Sequence, residues 1–338
     1  MDDLRFGTRN KRGDWAPFAP AQVAPFWQRP LSLPKILAWV PAYFWPWNAF
    51  HMATALLWWA FVLPDMDTMR ILSWDWALWL CAVNAAAIFL MFGGIELFWY
   101  IRRIQGTRFK YNSRFPAEQP SDVFWFKSQN LDNILRSFLS GVPIWTAIEV
   151  GVLWAWANSW GTWLTWADHW PSLVLLTLLV PAIHEAHFFC IHRLIHTPLL
   201  YKWVHSVHHN SVNPSPWSSL SMHPVEHLLY FSEMAWHLIL PSNPVVALFN
   251  MHAVGFGAVN GHIGFDRLEM PGGKAMDSHA WVHYLHHKYF EVNYGGDGLI
   301  PLDRWFGTWH DGSKDGEARM EARFAKKKAR LNAKPACG

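Results

Sequence analysis

Charged side chains are scarce in this sequence: Asp, Glu, Lys and Arg make up 16% of 338 residues, against about 25% in an ordinary soluble domain. So little charge excludes a disordered chain and argues against a soluble coiled coil. Cysteine is rarer still. Cys81, Cys190 and Cys337 are scattered, the first two inside apolar runs, so there is no disulfide framework and no CxxC pair. No GxGxxG dinucleotide fingerprint, ferredoxin cysteine spacing or flavin motif is present. A net charge of +3 gives no reason to expect a nucleic-acid partner. The opening MDDLRFGTRNKRGDW lacks a hydrophobic core, so no cleavable signal peptide is expected and insertion falls to internal segments.

What remains is apolar and aromatic: 52% hydrophobic residues and 25 Trp, a side chain that collects where an apolar body meets water. The expected fold is an all-α integral membrane protein with about four transmembrane helices, because a span needs about 20 apolar residues. Runs at 36–63, 76–100, 137–157 and 170–191 meet that requirement, the first kinked by Pro41 and Pro46. Two shorter runs, Leu228 to Leu240 and Val245 to Val259, flank Pro241-Ser-Asn-Pro244 and predict a re-entrant or interfacial helical hairpin. Residues 1–35 read as an N-terminal arm, 36–191 as the transmembrane region, 185–310 as the chemical region and 311–338 as a basic tail.

Lys and Arg crowd the N-terminal arm and the stretch from Arg102 to Arg136, whereas the Trp-dense stretch Asn158 to Asp168 has neither. The positive-inside rule then puts both termini and the chemical region on the cytoplasmic side, of either a bacterial inner membrane or an endoplasmic reticulum membrane.

Histidine is the anomaly. Of 19, all but His51 and His169 lie between His184 and His310. His192 and His196 form HxxxH; His205, His208 and His209 form HxxHH; His223 and His227 form a second HxxxH; His283, His286 and His287 form a second HxxHH. On a helix each such set occupies one face, with three imidazoles within about 100° of arc. Neutral rings aimed at one point are metal ligands or a costly way to bury polar groups. Two triads exceed what one tetrahedral metal can use and suggest two metals. Imidazole suits zinc, copper, iron and nickel alike, so spacing does not choose among them. A lone buried His is more often a hydrogen-bonded core residue, and His51, His169, His237, His252 and His310 are read that way. A histidine-ligated metal transporter and a haem cytochrome remain rival readings.

In order and spacing, His192-Arg-Leu-Ile-His196, Tyr201-Lys-Trp-Val-His205-Ser-Val-His208-His209, His223-Pro-Val-Glu226, Gly261-His262, His283-Tyr-Leu-His286-His287 and Asn293-Tyr-Gly resemble the fatty acid hydroxylase and sterol desaturase superfamily. Asp303-Arg-Trp-Phe-Gly-Thr308 looks like its closing WDRxFGT stretch, with Leu302 in place of the Trp, and Asn213-Pro-Ser-Pro-Trp tilts the resemblance toward sterol desaturases. The resemblance implies a membrane di-iron enzyme that uses O2 and two electrons to hydroxylate or desaturate a lipid C–H bond; ether cleavage and demethylation are alternatives within the class. It implies two Fe ions, with zinc as a substitute in purified protein, and a separate donor such as a cytochrome b5-like protein or a ferredoxin with its reductase. By motif, His192, His196, His205, His208, His209, His283, His286 and His287 would be ligands, with His262 the ninth. For a tenth, His279 comes first and His223 or His227 are alternatives. Glu185, Glu226, Asp266 and Asn293, and also Asp277, are candidates to orient the ligands. His184 could reach the site, whereas His187 only packs.

Overall fold

Proline placement decides the first helices. Pro46 has no N–H to donate and drives the residue before it out of the helical region; Trp45 sits at φ −113°, ψ 136°. The first apolar run is therefore two helices, α1 (Leu33–Phe44) and α2 (Trp47–Leu57), the latter extended by the wider turn Trp58–Val62. At about 1.5 Å per residue neither reaches the roughly 30 Å of a bilayer core alone. The computed structural model describes residues 1–116, 120–296 and 299–332.

Among the described residues, three helices are long and apolar enough to cross a membrane: α3 (Trp74–Ile101), α4 (Gln129–Ala157) and α5 (Trp166–Ile195). They contain the other three expected spans, α4 starting at Gln129 rather than near Ser137. Protein leaves much of them uncovered. Leu78, Phe89 and Leu90 on α3, and Leu175, Leu178 and Leu179 on α5, form exposed apolar surface, the kind a bilayer covers.

The long helices alternate in direction. At one end of the bundle Trp154 and Asn158 donate to the Arg70 carbonyl, both at 3.1 Å, and Leu164 N–H reaches the Ser242 carbonyl at 2.7 Å. At the other end Tyr100 Oη donates to the carbonyls of Ile263 (2.7 Å) and Pro214 (3.1 Å), and Gln129 Nε2 to that of Asn213 (2.9 Å). The histidine-bearing segments sit at this second end.

Of the expected hairpin, α6 (Pro224–Phe231) leads by short turns into α7 (Pro244–Gly255). Nearly every residue of α7 is buried, packed against α2, α4 and α5. A helix apolar on all sides belongs inside protein, so α7 is the centre of the bundle and not an interfacial helix.

The fold is mostly helical, with two small antiparallel hairpins added to the all-α expectation, Gly7–Arg9 with Trp15–Pro17 and Arg267–Met270 with Lys274–Asp277. The second turns through Gly272 and Gly273, both at positive φ (80° and 73°), where glycine carries no penalty. Nor is the N-terminal arm loose: Trp15 is buried on Phe109 and Tyr111. The basic tail forms a helix, Lys314–Asn332, docked by Lys288–Glu317 (3.2 Å) and Arg323–Glu291 (3.2 Å) pairs. Cys337 and the other residues after 332 lie outside the described residues.

Candidate metal centre

Local spacing sorts the histidines. Around a helix, i and i+4 differ by about 40°, whereas i+3 lies about 60° to the other side of i. Each HxxHH is accordingly split rather than aimed at one point. His205 and His209 join His192, His196 and His286 in one group; His283 and His287 join His208 and His262 in the other. In each group the ligand-type atoms all lie within 4.8 Å of one another. The nine histidines singled out first by motif are thus brought together, and every one except His196 is buried.

The nitrogen separations test whether a metal fits. In the first group Nε2–Nε2 distances are 3.1 Å for His192–His205, 3.2 Å for His196–His286, 3.3 Å for His196–His209 and 3.1 Å for His209–His286. In the second, His262 Nε2 is 3.1 Å from His208 and 3.2 Å from both His283 and His287. Imidazole nitrogens bound at about 2.0–2.1 Å and subtending 90–109° would lie roughly 2.8–3.4 Å apart.

Protonation gives a second test. A neutral imidazole has one N–H. That of His192 points from Nδ1 to the Tyr294 carbonyl (2.8 Å), His262 to Ala258 (2.9 Å), His286 to Val292 (2.6 Å), His208 to Ser221 (3.3 Å), and His205 to the Glu226 carboxylate (2.8 Å). Their Nε2 atoms are then bare lone pairs facing bare lone pairs, which only a cation between them relieves.

Burial, and then the neighbouring imidazoles, hold His205, His208, His209, His283 and His287 well below their ordinary pKa, so these rings stay neutral. Burial likewise lowers His262 and His286, each to about 4. The same burial pushes Glu226 well above the carboxylate range, so its ionised form calls for nearby positive charge, which neutral His205 does not supply. The donor set fits two imidazole-bound metal ions.

The tenth-ligand candidates lie elsewhere. His279, at φ 58°, is exposed and faces Asp277 at 3.7 Å. His223 Nδ1 accepts from Val225 N–H at 3.2 Å, capping α6. His227 is engaged at both nitrogens, by the Leu220 carbonyl (3.1 Å) and Ser140 Oγ (3.2 Å). Each belongs to its own turn or helix end, and none joins either group.

Of the orienting candidates, Glu226 bonds a grouped histidine, His205, through its side chain. Asn293 acts through backbone: it binds the carbonyls of Val282 (3.1 Å) and His310 (2.9 Å) and accepts from His310 N–H (2.8 Å), fixing the loop whose neighbouring carbonyls receive His286 and His192. Glu185 accepts from Ile300 N–H at 2.7 Å. Asp266 instead accepts from Tyr111 Oη at 3.1 Å, and Asp277 caps His279 N–H at 2.8 Å; no hydrogen bond ties either carboxylate to a grouped ring.

A residue named only as part of the closing stretch proves central to that loop. Asp303 accepts from Tyr294 N–H (2.9 Å), Gly295 N–H (2.7 Å) and Thr308 Oγ1 (2.6 Å). Among the other histidines, His169 is exposed rather than core. His187 braces α5 against α6 and the turn beyond it, through the Leu229 carbonyl (3.0 Å) and Trp236 Nε1 (3.1 Å). His237 and His252 are core residues bonded to Ser242 (2.7 Å) and Thr54 (2.9 Å). Buried His310 stacks on Tyr289. His51, expected to be hydrogen-bonded, is buried with neither ring nitrogen partnered.

Above the histidines lies a cavity of about 480 Å³. Its floor includes His192, His205, His208, His262 and His283; α1, α2 and residues 22–28 wall the other side, and His184 and His51 face into it. The volume is that of an ordinary small-molecule site.

Residues 176–308 match the protein-family model described as "Fatty acid hydroxylase". The Delta(7)-sterol 5(6)-desaturase erg3C of Aspergillus fumigatus is 27% identical over 68% of this chain and 73% of its own length. The Delta(7)-sterol 5(6)-desaturase ERG3B of Gibberella zeae is 30% identical over 37% of this chain and 39% of its own length. The fatty acid hydroxylase ahd1 of Mycosarcoma maydis is 28% identical over 41% and 36%. The match thus spans nearly three quarters of the first relative and about two fifths of the other two. No solved structure matches the chain. The family match covers residues 176–308, the stretch that holds all nine grouped histidines. Of the three relatives, two are named as sterol desaturases and one as a fatty acid hydroxylase.

Proposed function

We propose that this chain is a membrane-bound, di-iron, O2-dependent oxidase that hydroxylates or desaturates a C–H bond of a sterol or fatty-acyl lipid. The carrying observation is the two groups of closely spaced, buried imidazole nitrogens at the floor of a cavity walled by apolar helices. In this reading His192, His196, His205, His209 and His286 hold one iron, and His208, His262, His283 and His287 the other. Bound iron would supply the redox chemistry with dioxygen that an unactivated C–H bond demands. The overall balance is one lipid C–H, one O2, two electrons and two protons giving an alcohol and water; desaturation takes two hydrogens from the lipid and gives an alkene and two waters.

The chain's own residues supply position and shelter. Glu226 and the carbonyls of Tyr294, Val292, Ser221 and Ala258 fix which ring nitrogen faces inward. Phe188, Met222 and Tyr230 line the cavity and keep bulk water from the floor. The lipid enters from the bilayer, because its apolar body crosses water at a cost. The domain limits of 1–35, 36–191, 185–310 and 311–338, four spans, and a cytoplasmic position for both termini and the histidines complete the reading; electrons come from a separate protein, a cytochrome b5-like donor or a ferredoxin with its reductase.

The test is to purify the chain anaerobically in detergent, count metals, and then supply a reductase system, O2 and a sterol or an acyl lipid. About two irons per chain and an O2-dependent product 16 mass units heavier or 2 lighter are expected. Haem iron, or iron content indifferent to His283→Ala with His286→Ala (one ligand from each group), would defeat the reading.

A further inference from the structure

His51 is the group the proposed chemistry leaves unused. It lies on α2, is 3% exposed, and neither Nδ1 nor Nε2 has a partner. Burying an imidazole without hydrogen bonds costs free energy that folding must offset elsewhere. Its neighbours on the fold do pair: His252 with Thr54 at 2.9 Å and His184 with Glu233 at 2.8 Å. Unlike His252, His51 lines the cavity that has the histidine groups as its floor.

A second unsatisfied atom lines the same cavity, the buried Oδ1 of Asn260. The backbone relates the two. A Cβ built on Gly257 would come within 3.2 Å of the His51 ring, so His51 packs over Gly257. Asn260 follows Gly257 by three residues on a helical stretch closed by its own N–H to the Gly257 carbonyl (2.9 Å), which puts both on one face. One turn beyond Gly257, Gly261 lies against His283 in the same way, its built Cβ 2.9 Å from the ring. His51 and the second histidine group therefore lie over successive turns of one segment, about 6 Å apart along its axis.

The chemistry on offer is specific. A neutral imidazole can donate one N–H, and Asn260 Oδ1 can only accept. A hydroxyl satisfies both, accepting from His51 and donating to Asn260. A carboxylate or phosphate would set its lone pairs against Asn260, and the described lining residues include no Lys or Arg to compensate. An acyl chain without a hydroxyl would leave both atoms bare.

We propose that His51 and Asn260 form a hydroxyl-recognition site at the end of the cavity, and that the ligand it selects is a neutral lipid alcohol. The proposal rests on the reading of this cavity as the lipid site. It makes His51 a positioning and specificity residue: holding the hydroxyl one turn from the second histidine group limits which carbons reach the floor.

The experiment uses the full metal-loaded chain and two probes, a Δ7-sterol and its deoxy analogue lacking the hydroxyl. Binding is measured without O2, and KM, kcat and product position with O2 and reductant. The parent is expected to bind the alcohol about tenfold more tightly than the deoxy compound, the worth of a hydrogen bond or two. His51→Phe should abolish that preference and raise KM for the alcohol about tenfold, more than it lowers kcat, with metal content unchanged. His51→Gln, which restores a donor, should recover part of the preference and shows that the pocket still folds; Asn260→Leu should act like His51→Phe. Equal binding of both probes by the parent, or a preference intact in His51→Phe, would overturn the proposal. A parent that prefers the alcohol yet oxidises neither probe would support the recognition site and defeat the oxidase reading for sterols.

Discussion

The two histidine groups are built from the same side chain and differ in what stands behind it. In the group of five, His205 leans on a carboxylate, Glu226, and His192 and His286 on two carbonyls of one loop, Tyr294 and Val292. In the group of four the acceptors are the carbonyls of Ser221 and Ala258, contributed by unrelated segments, and among the described residues no acidic side chain is hydrogen-bonded to a ring. The first is thus backed by a buried carboxyl group and by a single braced loop; the second rests on neutral backbone. Rings that look interchangeable in sequence would hold cations in different fields, because partners behind the ligands set ligand basicity and orientation.

Selective ligand removal breaks the comparison most severely. His283→Ala with His287→Ala takes two of four ligands from one group and none from the other, and His192→Ala with His209→Ala does the reverse. Each should reduce metal content from about two to about one per chain by elemental analysis and cut lipid oxidation at least a hundredfold; retention of two metals in either double variant would dissolve the two-group assignment. Glu226→Gln comes next. It removes the carboxyl group behind His205 only, so metal affinity should fall about 10–100-fold at the group of five while one tightly held equivalent survives a chelator challenge.

A smaller effect is expected from Asp303→Asn. The amide turns a donor toward one of the backbone N–H groups that Asp303 now accepts, costing about 1–3 kcal/mol. Weaker metal retention, confined to the group carrying His192 and His286, is the signature to seek in chelator kinetics. Smallest for the metals is Asp266→Asn. Burial, and then Asp277, raises Asp266 from 3.8 to about 6. A raised folded-state pKa means the folded chain holds the proton more tightly than the unfolded one. That stabilisation is full below 3.8 and is lost as pH rises through about 6, amounting to at most about 3 kcal/mol. Asp266→Asn should flatten this part of the pH profile in thermal unfolding, raising stability at pH 8 relative to the parent, with both metals retained. Loss of a metal would return Asp266 to the centre.

The grouped histidines were legible because candidate metal chemistry leaves a periodic trace: no core needs two HxxHH sets, and i, i+4 pairs must share a face. Which group each His joined was not, since that depends on how the helices face one another across the bundle. The three long apolar helices could be read from apolar length alone. The first could not be read as one helix, because Pro46 cuts it where hydropathy alone sees a continuous run. His51 was invisible as a functional candidate for a related reason. A single His in an apolar segment has no spacing to betray it, and only tertiary packing discloses that its expected partner is missing. Asp303 carried a motif but no role until the loop it braces could be seen.

Each HxxHH helix sends its outer pair of histidines to one group and its remaining one to the other. Neither group is consequently a module. A segment transplanted from a relative to retune one group carries a histidine of the other, so the two can be redesigned only together, and a lineage that lost one would erode the other with it.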